Sequence, residues 1–133
     1  MYQRVIIVGN LGSDPTMRYT QDGTPVATFS VATSEKWSAD SDKRERTTWW
    51  RVTAWKKLAE NCNEYLAKGS KVLVEGTMQA DEHGNPHIWK GNDGQSRASF
   101  ELRANVVQFL SSKDKAESSD TPAYGGKEDS LPF

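Results

Sequence analysis

Trp49 and Trp50 stand side by side in Thr47 to Ala54, a run dominated by β-branched and aromatic residues. Such a run is extended, and successive side chains along a strand point to opposite faces. A chain of 133 residues has room for one modest core. Both indoles therefore cannot be inside it, and at least one faces solvent, a ligand or another subunit. The alternation sorts the neighbours as well. Trp50, Val52 and Ala54 share an apolar face that suits a core or a subunit contact. Trp49, Arg51 and Thr53 share the other, with Trp55 in line if the strand continues that far.

The rest of the chain is punctuated into similar pieces. Tyr2 to Asn10 reads as a buried strand, ended by the turn formers Gly9 to Pro15. Met17-Arg18-Tyr19 reads as a short extended piece before an Asp22-Gly23 turn. Val26 to Thr33 has the period of a half-buried strand, with Ala27, Phe29 and Val31 on one face. Ser38 to Arg46 is polar and charged and reads as an exposed loop. Lys57 to Lys68 is the one helix, with Leu58, Cys62, Tyr65 and Leu66 on one stripe, no N-cap, and Gly69 as its left-handed stop. Lys71 to Ala80 returns to strand, bent or bulged at Gly76. Two turn signals, 81–86 and 91–94, flank a short segment around Trp89. Ser99 to Phe109 closes the body, with Phe100, Leu102, Ala104 and Val106 alternating. Three strands, a helix and two long strands predict an all-β fold with one helix: the five-stranded, partly open Greek-key barrel called the OB-fold.

Residues 1–110 form that domain. Residues 111–133 change composition to Ser, Asp, Lys, Glu, Pro and Gly, which cannot bury a core and predicts a disordered tail. The domain holds 14 Lys and Arg against 13 Asp and Glu, and the tail three against five, for a net charge of −1. A nucleic-acid binder so nearly neutral needs local placement of cations and base stacking. The lone Cys62 excludes an internal disulfide framework. No signal-peptide pattern or spanning apolar run is present, which fits a cytoplasmic protein.

Five tryptophans, Trp37, Trp49, Trp50, Trp55 and Trp89, are many for this length. Trp49 with Arg51 interleaves an aromatic with a cation, the pattern of a platform for unpaired bases. Indoles stack on base faces of any sequence, and a guanidinium meets phosphate. Trp37 opens the charged loop with Lys43, Arg44 and Arg46, and Trp89 precedes Lys90 and a Gly-rich turn. Aromatics in such polar surroundings have little core to join, so contact roles are favoured. The bland alternative for the loop cations is a solvated surface.

Several segments then resemble the bacterial single-stranded DNA-binding proteins in order and spacing. These are Val8-Gly9-Asn10-Leu11-Gly12-Ser13-Asp14-Pro15, Arg18-Tyr19, Val31 to Trp37, Thr48-Trp49-Trp50-Arg51-Val52, Lys57-Leu58-Ala59-Glu60, Tyr65 to Ser70, and the ending Asp129-Ser130-Leu131-Pro132-Phe133. The resemblance implies a homotetramer of OB-folds, nucleoid-associated and wrapped by single-stranded DNA, serving replication, recombination and repair. It implies base stacking at Trp37, Trp49, Trp55 and Trp89, and phosphate contacts at Arg18, Arg51, Lys57 and Lys68. It also implies docking of partner proteins by the tip, Glu128, Asp129, Leu131, Pro132 and Phe133. Trp50 departs from the pattern, falling where relatives often have histidine near a subunit contact. The segment from Asp81 to Ile88 looks expanded and acidic.

No catalytic, metal or cofactor constellation is legible. His83 and His87 flank a Gly-Asn-Pro turn without completing a ligand set. Cys62 has no base to activate it. Gly9-Asn10-Leu11-Gly12 lacks the Lys-Ser/Thr of a phosphate loop. The expectation is a non-enzymatic binder. An OB-fold RNA-binding protein is the alternative, since nothing in the residues reads a 2′-hydroxyl; a nuclease and a purely protein-binding adaptor are the remaining classes.

Overall fold

The computed structural model describes residues 1–111. The chain order is β1 (Val5–Leu11), β2 (Thr16–Tyr19), β3 (Pro25–Ala39), β4 (Asp42–Trp55), α1 (Lys56–Tyr65), β5 (Lys71–Met78), β6 (Ile88–Lys90), β7 (Ser96–Ala98) and β8 (Phe100–Phe109). Strands β1, β5, β8, β4 and β3 pair in that order, and β1 returns to β3, closing a five-stranded OB-fold barrel. The β4–β8 pairing is parallel, from Trp50↔Phe100 to Thr53↔Arg103. The closing β1–β3 contact is brief, Asn10↔Ala32 and Leu11↔Val31. It requires Gly9, where a Cβ would lie 2.1 Å from the Ala32 carbonyl oxygen.

Alternation builds the core. Ala27, Phe29 and Val31 of β3, Val52 and Ala54 of β4, Val72 and Val74 of β5, and Leu102 of β8 are buried together. Ala59 and Cys62 of α1 enter the same cluster, so the helix is part of the core. β8 departs from its simple period. A bulge opposite the Glu75/Gly76 step pairs Glu75 with Val106 and Gly76 with Ala104, which skips Asn105. The bend at Gly76 is thus present, and it turns Val107, not Val106, toward the core.

Two expectations from sequence are corrected. Ser38 to Arg46 is not a loop: β3 and β4 run on as a two-stranded arm, paired as far as Ala39↔Asp42. Its two-residue turn, Asp40 (φ 48°) and Ser41 (φ 67°), is left-handed at both positions, the geometry that matches strand twist. The arm is exposed on both faces, so it carries no apolar alternation to reveal it. The helix ends at Tyr65 rather than Lys68. Leu66 leaves it in an extended conformation, φ −103° and ψ 149°, to bury its side chain in the core. Ala67 N–H then donates to the buried Ser70 hydroxyl (3.0 Å), and Gly69, at φ 90°, turns the chain into β5. The start of α1 has no side-chain cap because β4 becomes helix without a linker, through Lys56 at φ 61°.

Candidate nucleic-acid interface

The register of β4 sets the two indoles apart. Val52 and Ala54 are fully buried, and Trp50, on their side, packs partly against the core. Its indole N–H donates to Thr33 Oγ1 (3.1 Å) and its ring meets Phe100, centroids 5.3 Å apart. Trp49 points the other way and is 54% exposed. Its ring edge leans on the β1–β2 connection at Gly12.

Arg51 lies two residues along the Trp49 face. It shares a cavity of about 290 Å³ with Arg18, Asp14, Thr16 and Ser30. A second cavity of about 450 Å³ brings Arg18 and Arg51 together with Trp55, Tyr19, Thr53 and Glu101. Neither the Arg18 nor the Arg51 side chain has a hydrogen-bond or ion-pair partner among the described residues. Unpaired guanidiniums beside an indole leave their charge available to an anion. Trp55 ends β4 half-buried, with the Arg103 guanidinium over its ring at 5.9 Å.

Trp37 and Trp89 sit on the two projecting hairpins. Trp37 lies on the arm, 41% exposed, with the Arg46 guanidinium 5.3 Å from its ring centroid. Arg46 is also held by Glu35 (2.5 Å). Trp89, 49% exposed, pairs with Arg97 across β6–β7, and its indole N–H reaches Ser99 Oγ at 3.4 Å. The connection into β6 is tied by its acids. The Asp81 carboxylate accepts from the backbone N–H groups of Asn85 (2.8 Å) and His83 (2.9 Å). These bonds, that of Asn85 foremost, hold its carboxyl below the ordinary value. His87 Nδ1 lies 3.1 Å from Glu101 Oε1, fastening the segment to β8.

The remaining expected cations stand apart. Lys57 is on the exposed side of α1, 3.8 Å from Glu60. Lys68 follows the helix, its backbone N–H donating to Asp14 Oδ1 (2.8 Å) while its side chain faces solvent. Neither lines the two arginine cavities. Of the tail expected to be disordered, Ser111 is described and its hydroxyl accepts from the Lys71 backbone N–H (2.9 Å); residues 112–133, with Glu128, Asp129, Leu131, Pro132 and Phe133, lie outside the described residues.

Sequence reasoning passed over Tyr19, which is 65% exposed in the Trp55 cavity, and Phe100, which is 53% exposed although its alternation assigns it to the core. Arg103, over Trp55, was also passed over. Its signal is the Arg103 position on the outward face of β8, visible only once β8 is placed beside β4. Among the described residues no group of three or more His, Cys, Asp or Glu is placed to hold a metal ion. No helix among them is long and apolar enough to cross a membrane.

Comparison with known proteins agrees with this architecture. Residues 2–110 match the model of the single-strand binding protein family. Single-stranded DNA-binding protein 1 of Xylella fastidiosa is 39% identical over 129 residues, 95% of this chain and 88% of its own. The single-stranded DNA-binding protein of Neisseria meningitidis serogroup A is 39% identical over 113 residues, 84% of this chain. This chain spans 62% of that relative's length. Among solved structures, the Plasmodium falciparum protein in complex with ssDNA superposes with a TM-score of 0.67 at 25% identity. The match covers 84% of this chain and 96% of that one. A small single-stranded DNA-binding protein from Streptomyces coelicolor gives the same TM-score and identity, covering 80% and 93%. The chain belongs to the single-strand binding protein family.

Proposed function

We propose that this chain binds single-stranded DNA without sequence specificity and without catalysis, by stacking bases on Trp37, Trp49, Trp55 and Trp89. Arg18 and Arg51 contact phosphates, with Lys57 and Lys68 extending the cationic track around the helix. The observation that carries this reading is the meeting of unpaired Arg18 and Arg51 with Trp55 in one cavity. Trp49 stands exposed on the same strand face as Arg51. Stacking tolerates every base, which accounts for binding by a domain whose charge is close to balanced. Such binding would protect exposed strands in the cytoplasm during replication, recombination and repair.

The bound form is a homotetramer. Support comes from β1, whose outward residues Ile6 and Val8 are 58% and 41% exposed. On its second side β1 pairs with β3 only at Asn10 and Leu11 and approaches it closely at Gly9, so Val5 to Val8 offer a free strand edge. An apolar, unpaired edge is suited to a second copy. The segment Glu128, Asp129, Leu131, Pro132 and Phe133 recruits partner proteins, an apolar anchor beside negative charge suited to a basic-rimmed groove.

Titration of intrinsic tryptophan fluorescence with poly(dT) and poly(U) tests the reading. Strong quenching by poly(dT) is expected, weakening with salt with a slope of about −0.7 per phosphate neutralised. No response to poly(dT) contradicts it, and tighter binding of poly(U) would replace it with RNA binding. Deleting residues 128–133 is expected to leave poly(dT) binding intact and to abolish partner capture.

A further inference from the structure

His87 is the last residue before β6, the strand that carries Trp89. The β6–β7 hairpin pairs only with itself, so side-chain contacts help to set how Trp89 stands against the barrel. The His87 ring makes the closer of two such ties, Nδ1 to Glu101 Oε1 of β8 at 3.1 Å. The Trp89 indole N–H makes the longer one, 3.4 Å to Ser99. The histidine contact is half sheltered, with side-chain exposures of 42% for His87 and 21% for Glu101.

Glu101 has a second neighbourhood. It is the one carboxylate lining the cavity that brings together Arg18, Arg51, Tyr19 and Trp55. In the parallel β4–β8 ladder it stands directly beside Arg51. Its negative charge therefore opposes a phosphate arriving at the two arginines. An imidazole changes charge between about pH 5 and 8. Beside a neutral ring the carboxylate keeps its full charge. Beside an imidazolium the pair is neutral, and its hydrogen bond becomes charge-assisted and about twice as strong. The other charged groups around the pair are fixed by the fold. Asp81 of the connection into β6 is the second carboxylate whose field reaches His87. Arg103 follows on β8 over Trp55, Arg18 and Tyr19 come from β2, and Arg51 comes from β4. Glu82 and His83 face each other at 3.5 Å.

We infer that His87 is a positioning residue that couples pH to single-stranded DNA binding: its imidazolium holds Glu101, neutralising the carboxylate that opposes phosphate at Arg18 and Arg51 and seating the hairpin that bears Trp89. This rests on the single-stranded DNA reading above. Both effects have the same sign. Affinity rises as pH falls, and by linkage DNA binding takes up a proton at His87.

The test measures the affinity for labelled oligo(dT) by fluorescence anisotropy at about pH 8 and about pH 5.5, at constant ionic strength. The proteins are the wild-type chain, His87→Gln, Glu101→Gln and His83→Gln. The wild type is expected to bind more tightly at the lower pH, and His83→Gln to keep that gain. His87→Gln and Glu101→Gln should each lose about threefold of it, the scale of one partly exposed ion pair. At the higher pH, Glu101→Gln should bind more tightly than the wild type. An undiminished gain in His87→Gln overturns this inference and leaves the broader reading intact. A gain lost in His87→Gln but kept in Glu101→Gln makes the ring a direct phosphate contact and also overturns it. An equal loss in His83→Gln assigns the effect to general surface charge, with the same consequence. No binding by the wild type at either pH removes the broader reading itself.

Discussion

The Trp49 ring covers Gly12 so closely that a Cβ at position 12 would lie 2.5 Å from the indole Cζ3. Glycine is needed there for the space it leaves to an aromatic three strands away in sequence, and its absent side chain fixes where the indole rests. Gly12→Ala is expected to swing the Trp49 ring off its seat with little loss of stability. Affinity for oligo(dT) should fall by part of the ~1–3 kcal/mol that one base stack contributes. Anisotropy titration beside a urea melt checks both halves; unchanged affinity would mean that the seated position of Trp49 is not the binding position.

Barrel closure makes a contrasting demand on two other glycines. A methyl group at Gly9 would meet the Ala32 carbonyl oxygen at 2.1 Å, and one at Gly76 the Arg103 carbonyl oxygen at 2.0 Å. Both obstacles are backbone, which cannot rotate away. Gly9→Ala and Gly76→Ala should each destabilise by more than about 2 kcal/mol, the range of severe packing lesions. Urea unfolding midpoints close to wild type would contradict the strand approach described for β1–β3 and β5–β8.

The arm that carries Trp37 turns through Asp40 and Ser41, both at positive φ. Replacing the pair by Asn-Gly suits that turn and is expected to stabilise the arm by about 0.5–1 kcal/mol. Slower amide hydrogen exchange at Lys36 to Lys43 is the measurement. Faster exchange would show that the arm does not use this turn in solution.

How much of this was legible in the sequence depended on burial. Ala27, Phe29, Val31, Val52 and Ala54 declare their strands because one face is sealed. The arm from Ser34 to Thr47 has no sealed face, and its pairing comes from backbone bonds and a turn whose residues, Asp40 and Ser41, are not the usual Asn-Gly. Trp49 and Trp50 were separable because neighbours in a strand must diverge. Phe100 was not, because alternation gives a side chain's direction without telling whether a strand stands opposite to cover it. The convergence of Arg18 with Arg51 is a tertiary fact, made by the pairing of β2 and β4 on either side of β3. Leu66 broke the helix for a similar reason, since burial of its side chain outweighed continuation of the stripe.

Burial pushes the Cys62 thiol up to about 12, from an ordinary value of 9.0. The folded chain therefore keeps the proton more tightly than the unfolded chain. The resulting stabilisation is complete below the unfolded value and is lost as pH rises from there toward 12. Between about pH 8 and about pH 10.5 the wild type should lose on the order of 1–2 kcal/mol more stability than Cys62→Ala, which cancels the tyrosine and lysine titrations. The thiol should also resist alkylation at neutral pH until the protein unfolds. Equal losses in the two proteins, or rapid alkylation of the native chain, would contradict its place in the core.

The central claim is that exposed indoles on and around the β3–β4 face hold unpaired bases. Photocrosslinking to single-stranded DNA containing 5-iododeoxyuridine, with adducts located by mass spectrometry, tests it most directly. Adducts at Trp49, Trp55 and Trp89, with Trp37 reached on longer strands, are the predicted result. Adducts confined to the outward face of β1 and β5, around Ile6 and Val8, would contradict it.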